Sequence, residues 1–215
     1  MQRILFDIGA NTGQYTDANA DKYDQVILVD ANPALCEVLR KKYQSQKSKY
    51  IVENVLVSNE TSATFYVSST ADTISTAAVR WVTDSRFTGS QKWVPSAQPI
   101  PCMSLDALIA KYGIPAYIKI DVEGYEYNVL RSLTVGGAPL AFEWAEELLD
   151  EVVLSVQYLA EVPLRYTRFA VQMEDAYRHE PDPKAYMNAV ELITYLQKTL
   201  RPARKSLWGM IHCRG

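Results

Sequence analysis

The sequence predicts an α/β fold in which a mostly parallel sheet carries helices on both faces. The first half of the chain alternates short β-rich runs with segments of helical pattern, which is typical of strand, helix, strand crossovers. A glycine-containing turn at residues 9–13 follows the first run directly and opens a helix. A later apolar run, residues 116–121, leads into two carboxylates, Asp121 and Glu123. In open sheets of this kind ligands bind at the carboxyl ends of the strands, so the same features predict a ligand site.

The first half of the chain predicts four strands and two helices. Turn residues at positions 58–60 separate the last two strands. The second helix starts at Pro33 with Asn32 as its N-cap, and Leu35 and Leu39 give it an apolar side. In chain order these elements are strand 3–8, helix 13–20, strand 26–30, helix 33–43, strand 50–57 and strand 61–68.

Residues 69–99 break this alternation. The segment is rich in Ser, Thr, Asp and Gly, and its aromatic residues Trp81, Phe87 and Trp93 are isolated, so no regular element is assigned to it. Long irregular segments inside compact domains are usually functional or mobile. We therefore expect residues 69–99 to be an irregular insertion that contributes to a substrate site.

The α/β alternation resumes after this insertion and continues to the end of the chain. Helices are predicted where a polar N-cap precedes apolar residues at helical spacing, and strands where apolar residues form short continuous runs. Two prolines place residues 178–183 in a loop. The predicted helices are 104–112, 125–133, 146–161 and 184–200, and the predicted strands are 116–121, 139–144, 166–173 and 207–213.

Length and composition indicate one domain over residues 1–215. The chain is 48% hydrophobic and 22% charged, which suits one globular domain with a substantial core, and no linker divides it. No apolar run approaches the length of about 20 residues that a bilayer requires, and the start reads as a strand without the features of a signal peptide. We therefore expect a cytoplasmic protein without a membrane span.

Charge and cysteine usage disfavour several classes of partner. A net charge of −3 argues against binding a phosphate backbone, so nucleic acid is an unlikely partner. The three cysteines are far apart and lack C-x-x-C spacing, which gives no indication of a disulfide framework or a zinc site. A homo-oligomer remains open.

The glycine turn is the strongest local signal for a ligand. Its pattern G-x-N-x-G follows a strand, where glycines let the backbone approach a ligand and a helix N-terminus offers amide donors to a carboxylate or a phosphate. The third glycine of the dinucleotide fingerprint is missing. A plain turn between strand and helix is the competing interpretation.

Asp30 strengthens the ligand interpretation. It ends the second predicted strand about 20 residues after the glycine turn, where an acidic side chain accepts hydrogen bonds from both hydroxyls of an adenosine ribose. Both NAD and S-adenosylmethionine contain that ribose. Asp30 as a helix cap is the alternative, but Asn32 before Pro33 fits that role better.

Asp121 and Glu123 form the third signal. Carboxylates at a strand end can hold a cationic amine or sulfonium, orient a substrate hydroxyl or accept its proton. Solvated loop carboxylates are the competing interpretation.

Four blocks together resemble the FkbM family of S-adenosylmethionine-dependent methyltransferases over residues 3–144. They are FDIGANTG (6–13), VDANP (29–33), SLDAL (104–108) and IKIDVEGYE (118–126), of which KIDVEG is the most specific. The resemblance implies a Rossmann-like class I methyltransferase fold, with a mostly parallel seven-stranded sheet whose last strand is antiparallel. It also implies S-adenosylmethionine as cofactor and O-methylation of a hydroxyl on a sugar or other small-molecule or glycan acceptor.

The resemblance also assigns cofactor-binding positions. The glycine turn would line the methionine portion, Asp30 would hold the ribose, and Asn54 would approach the adenine. Ser75 belongs to a variable loop that would cover the cofactor, and Asp121 would face the transferred methyl group. The complete predicted set is Asp7, Gly9, Ala10, Asn11, Thr12, Gly13, Asp30, Ala31, Asn32, Asn54, Ser75 and Asp121.

Asp121 ranks first among the candidate catalytic bases. Glu123 stands beside it, and Glu143 is a more distant candidate. His179 would act only if its polar loop folds over the site, and a solvated loop histidine is the alternative. Some O-methyltransferases use a divalent ion, but the spacing gives no independent support for one, so no metal ligands are assigned.

Two other function classes stay open at this stage. An NAD-dependent oxidoreductase would use a similar sheet, although the turn pattern and the missing hydride-site residues disfavour it. A non-catalytic nucleotide-binding interaction protein is the other alternative. Trp81, Phe87, Trp93 and Tyr177 would form either a stacking wall for the acceptor or a small core under the loop.

Overall fold

A computed structural model describes residues 2–69, 72–161, 163–174, 181–200 and 207–215. Its strands are β1 Ile4–Ile8, β2 Gln25–Val29, β3 Tyr50–Glu53, β4 Leu56–Val57, β5 Ser62–Ala63, β6 Tyr66–Ser68, β7 Trp93–Pro95, β8 Ile100–Met103, β9 Tyr117–Ile120, β10 Leu140–Ala145, β11 Arg168–Met173 and β12 Trp208–Arg214. Its α-helices are α1 Gln14–Asn19, α2 Pro33–Lys42, α3 Val79–Asp84, α4 Leu105–Tyr112, α5 Glu126–Leu130, α6 Leu149–Ala160 and α7 Ala189–Tyr195.

Seven strands form the central sheet, in the order β3, β2, β1, β9, β10, β12, β11. The pairs from β3 to β10 are parallel, and β12 is antiparallel to both of its neighbours, β10 and β11. This confirms the expected mostly parallel seven-stranded sheet of the class I methyltransferase fold, with its last strand antiparallel. The order also places β1 beside β9, which aligns the carboxyl ends of the strands that carry the predicted site.

Helices cover both faces of this sheet, as predicted. On one face, a large apolar cluster packs α4, α5, α6 and α7 against the strands, with Phe6, Ile118 and Phe142 fully buried at its centre. On the other face, Leu39 and Tyr43 pack against a smaller apolar cluster that includes Leu5 and Leu28. Because β1 is buried on both sides, four of its five residues are apolar and do not alternate with polar ones; Asp7 is the exception.

The chain departs from prediction at residues 50–57, which do not form one strand. β3 ends at Glu53, and β4 pairs with β8 in a separate three-stranded sheet. Asn54 marks the break, because its side-chain amide donates to the carbonyls of Asp30 and Ala31 at the end of β2. The predicted strand 61–68 also divides, since β5 pairs with β8 whereas β6 pairs with β7.

Short regular elements occur within residues 69–99, including α3 and β7. β8 follows this segment and is absent from the prediction, because Pro101 within it disfavours an ordinary strand. The last predicted helix begins at Ala189 instead of residue 184, since Asn188 and Glu191 form a capping box that starts it there. Among the described residues, no helix has the length and apolar character needed to cross a bilayer.

Candidate functional site

A cavity of about 500 Å³ lies at the carboxyl ends of the central strands. The turn after β1, the end of β2 and the residues after β9 all line it, and so do residues between positions 73 and 87. Glu143 on β10 and Trp208 on β12 complete its walls. Of the predicted site residues, the cavity brings together Gly9, Ala10, Asn11, Asp30, Ala31, Ser75, Asp121 and Glu123.

The glycine turn is held by contacts within the protein. The amides of Gly9 and Ala10 donate to the Val29 carbonyl, and the Asn11 amide donates to Asp30 Oδ2. The Thr12 and Gly13 amides also have acceptors within the turn. These five amides are therefore already satisfied, which differs from the free donors that the sequence pattern suggested.

The two glycines of the turn meet a packing requirement. Gly9 has a φ of +76°, and a Cβ placed there would lie 1.7 Å from the backbone oxygen of Asp121. At Gly13, with a φ of +86°, a Cβ would lie 2.6 Å from the Tyr43 hydroxyl. The close approach that requires Gly9 is thus made by the chain after β9.

Replacing Gly9 with Ala should destabilise the protein more than the same change at Gly89. Both glycines have positive φ, so both variants carry backbone strain of about 1 kcal/mol, but no atom lies within 4 Å of a Cβ at Gly89. The Gly9→Ala clash is with backbone, which cannot move cheaply. Thermal unfolding should show a larger fall in Tm for Gly9→Ala, and equal falls would contradict this role of Gly9.

Asp30 directly follows β2 and lines the cavity. Its Oδ2 accepts from the Asn11 amide and its Oδ1 accepts from the Asn32 amide, both at 2.8 Å. Burial raises the pKa of Asp30 to about 6, although the hydrogen bonds from these two amides and the charge of Lys119 act to lower it. Each oxygen keeps a second lone pair for a ligand.

Lys119 is a central residue of the site although it was not among the predicted positions. It lies on β9 with 4% of its surface exposed, and its Nζ donates to the Gly9 carbonyl at 3.0 Å. The same Nζ is 3.5 Å from Asp7 Oδ1 and 3.3 Å from Asp121 Oδ2. Lys119 therefore joins β1, the glycine turn and the end of β9. A charged residue inside an apolar strand was the signal available in the sequence.

Asp7 lies beneath the turn and not in the cavity wall. It is fully buried on β1, and its Oδ2 accepts from the Thr16 hydroxyl at 2.6 Å. Burial raises the pKa of Asp7, although Lys119 and Thr16 oppose this. The role of Asp7 that the structure shows is to anchor Lys119 and α1.

Three carboxylates meet at the end of β9 and β10. One oxygen from each of Asp121, Glu123 and Glu143 lies within 4.8 Å of the others, and all three residues line the cavity. The buried surroundings and the neighbouring carboxylate of Asp121 raise the pKa of Glu123 and of Glu143 well above the usual value. The structure thus brings Glu143, the distant candidate, into the same group as Asp121.

The backbone around these carboxylates is fixed from two sides. Glu123 has a φ of +57°, and its carbonyl accepts from the Thr76 hydroxyl at 2.7 Å. Glu126 Oε1 accepts from the amides of Val122 and Gly124, and burial raises the pKa of Glu126 to about 7. The turn that carries Glu123 is therefore hydrogen-bonded to residues 73–87, which line the cavity.

The segment of residues 73–87 that lines the cavity is also held by an ion pair. Arg86 lines the cavity and forms a bidentate pair with Glu147, at 2.7 Å for each of two contacts. Trp81 and Phe87 also line the cavity and meet edge to face. Trp93 instead donates its indole N–H to the Ile74 carbonyl.

The other predicted positions lie outside the cavity wall or outside the described residues. Thr12 and Gly13 belong to the turn, and Asn32 caps α2 by accepting from the Ala34 amide. Asn54 binds the carbonyls at the end of β2. His179 and Tyr177 fall among the residues that the structure does not describe.

Comparison with known proteins identifies the family. The FkbM methyltransferase domain matches residues 7–146, which is more than half of the chain. No curated protein matches this chain. Similar solved structures include a precorrin-8w decarboxylase from Methanobacterium thermoautotrophicum, with 10% identity, a TM-score of 0.49 and coverage of 100% of this chain and 82% of that one.

Two further solved structures show a similar degree of likeness. A predicted O-methyltransferase from Agrobacterium tumefaciens has 11% identity and a TM-score of 0.46, with 98% of this chain and 73% of that chain covered. The C-terminal domain of a precorrin-6Y C5,15-methyltransferase from Rhodobacter capsulatus has 12% identity and a TM-score of 0.46, with 100% and 81% covered. The match over residues 7–146 decides the identity: the chain belongs to the FkbM family of S-adenosylmethionine-dependent methyltransferases.

Proposed function

We propose that this methyltransferase acts on an oxygen nucleophile, namely a hydroxyl of a sugar or of another small-molecule or glycan acceptor. The observation that carries the proposal is the shared cavity, which joins Asp30 and the glycine turn to the carboxylates after β9. Bound S-adenosylmethionine supplies an electrophilic methyl group on its sulfonium. The chain's own residues must then hold the cofactor, align the acceptor oxygen and exclude water.

The residues at the end of β2 fit an adenosyl group. Asp30 has a free lone pair on each carboxylate oxygen and lines the cavity, so it would accept from the two ribose hydroxyls. Leu35 and Val55 add apolar surface to the same cavity, which suits the adenine ring. We propose that the methionine portion lies along the turn at Gly9, Ala10 and Asn11.

The acceptor would lie under the segment that includes residues 73–87. Trp81, Phe87 and Trp208 line the cavity with aromatic surface, which is suited to the apolar face of a sugar ring. We propose that residues 69–99 contribute this substrate wall and that residues 1–215 form a single methyltransferase domain. Arg86 and Thr76, which join the segment to Glu147 and to the Glu123 carbonyl, would keep the wall in place.

Asp121 is the proposed general base. It lines the cavity at the end of β9, where Lys119 is 3.3 Å from its Oδ2 and fixes that side of the carboxylate. Asp121 would accept the hydroxyl proton while the methyl carbon exchanges its bond to sulfur for a bond to oxygen. Glu123 is the second candidate, and His179 stays a prediction.

A labelled-methyl screen tests this function. Purified protein would be incubated with S-adenosylmethionine carrying a labelled methyl group and with extract fractions or a panel of sugars and hydroxylated small molecules. We expect label in a hydroxyl-bearing product as a methyl ether. Label that appears only on nitrogen or carbon would contradict the oxygen acceptor, although it would leave the methyltransferase assignment intact.

Binding of S-adenosylhomocysteine should weaken as the pH falls below about 6. The reason is that Asp30, with its pKa raised to about 6 by burial, must be ionised to accept from both ribose hydroxyls. At pH 5 only about a tenth of Asp30 would be ionised, so Kd should rise about tenfold relative to pH 7. Calorimetric titrations between pH 5 and 8 measure this change.

The variant Asp30→Asn is the control for this pH dependence. Lys119 and Asp7 also influence Asp30. The variant removes the titrating carboxylate and replaces one of the two oxygens that accept backbone amides. Its affinity should be weaker and nearly constant over the same range. Because the pKa of Asp30 is raised in the folded protein, Asp30 contributes to the free energy of unfolding below about pH 4, and this contribution is lost as the pH rises through about 6. Lowering the pH from 7 to 5 therefore does not unfold the protein through Asp30. The same slope in Asp30→Asn would contradict the assignment.

A further inference from the structure

The three-carboxylate cluster of Asp121, Glu123 and Glu143 has a geometry that suits one cation. Their ligand oxygens all lie within 4.8 Å of one another. Oxygen ligands surround hard divalent cations at about 2.0 to 2.6 Å, so two ligands of one ion are at most about 5 Å apart. The cluster lies within this limit, and the shorter bonds of Mg²⁺ would draw its oxygens to within about 4.2 Å of one another.

Glu143 provides a second and independent observation. Only 9% of its surface is exposed, it lines the cavity, and it makes no hydrogen bond or ion pair to any residue that the structure describes. Buried carboxyl groups in proteins are almost always paired or bound to a metal. Such a carboxyl is neutralised either by a proton or by a cation, and the two neighbouring carboxylates can share a cation with it.

The cationic side chains near the cluster already have carboxylate partners, one of which is the cluster member Asp121. Lys119 lies between Asp7 and Asp121, and its Nζ also donates to the Gly9 carbonyl. Arg86 forms its bidentate pair with Glu147. Lys119 therefore offsets one carboxylate of the cluster, Asp121, and no side chain in the described ranges forms an ion pair with Glu123 or Glu143.

We propose that Asp121, Glu123 and Glu143 bind a hard divalent cation such as Mg²⁺ or Mn²⁺. Carboxylate oxygens are the ligands that these ions prefer, and three protein ligands leave coordination positions for other oxygens. If the proposed function is correct, the acceptor hydroxyl occupies one of these positions. The ion would orient that oxygen and lower its pKa, so Asp121 need not be a strong base.

The test uses the metal alone, with Mn²⁺ as the probe. Chelator-treated full-length protein would be titrated with Mn²⁺, and free Mn²⁺ followed by electron paramagnetic resonance. We expect one site per chain, competition by Mg²⁺, and a rise in Tm of about 5 °C or more at a hundredfold excess over Kd. The variant Glu143→Gln keeps the side-chain shape and should raise Kd for Mn²⁺ at least tenfold.

The variant Glu60→Gln is the matched control, because Glu60 is exposed and lies outside the cluster. It should bind Mn²⁺ like the unchanged protein. Binding of S-adenosylhomocysteine to Glu143→Gln shows that this variant is folded and separates the two proposals. If the unchanged protein binds S-adenosylhomocysteine but no Mn²⁺, or if Glu143→Gln binds Mn²⁺ normally, the cation site is wrong while the methyltransferase site stands. If Mn²⁺ binds but S-adenosylhomocysteine does not, the cation site stands while the proposed cofactor site is wrong.

Discussion

Lys119→Met should lower the free energy of unfolding by about 3 kcal/mol or more. The change leaves Asp7, which is fully buried, without the cation 3.5 Å from its Oδ1, and it also removes the bond to the Gly9 carbonyl. Removing one member of a buried ion pair leaves an uncompensated charge or forces it to take a proton. For a domain of this size, Tm should fall by about 6 to 12 °C. Thermal and denaturant unfolding measure both quantities.

Lys111→Met is the matched control for Lys119→Met. Lys111 pairs with Glu53, but half of its side chain is exposed, so the same substitution should cost no more than about 1 kcal/mol. The double variant Asp7→Asn with Lys119→Met should recover part of the lost stability, since it removes the buried charge as well. Equal losses for the two single variants would show that Lys119 is not the central ion-pair partner described here.

Asp121→Asn should reduce the rate of methyl transfer by about 10² to 10⁴-fold. The amide keeps the shape of the side chain but no longer accepts the hydroxyl proton, and it is also a weaker ligand than a carboxylate for the proposed cation. Affinity for S-adenosylhomocysteine should change only a few-fold, because Asp30 and the glycine turn are untouched. The measurement is the single-turnover rate with the acceptor found in the labelled screen, together with calorimetry.

Asp21→Asn provides the control for Asp121→Asn. Asp21 is exposed and does not line the cavity, so this variant should transfer methyl groups within about twofold of the unchanged protein. If Asp121→Asn retains the full rate, Asp121 is not the base. A reduced rate with equally reduced cofactor affinity would instead indicate a binding role.

The strands that carry the site were predicted to within one residue at each end. β1, β2, β9 and β10 are mostly apolar because each is buried on both faces, and such runs are visible in sequence although Asp7, Lys119 and Glu143 interrupt three of them. The break after Glu53 was not predictable, since it depends on an Asn54 contact with carbonyls 23 and 24 residues away. Tertiary contacts of this kind produce no periodic pattern in the sequence.

Several predicted site residues line one cavity, but the contacts that connect them could not be predicted. The pattern placed Asp30 and Asp121 at strand ends, and the sheet order brings both to one cavity. The role of Lys119 depends on β1 lying beside β9, which only the topology reveals. In the same way, Gly9 was predicted to let the backbone approach a ligand, whereas the structure shows that a side chain at this position would clash with the Asp121 carbonyl oxygen.

Calorimetric titration of the protein with S-adenosylhomocysteine tests the central claim most directly. If the cavity between the glycine turn and Asp30 holds the adenosyl group, one molecule should bind per chain with a Kd well below millimolar, and Asp30→Asn should weaken binding at least tenfold. A correctly folded protein that takes up no S-adenosylhomocysteine at millimolar concentration, or an Asp30→Asn variant with unchanged affinity, would contradict the account.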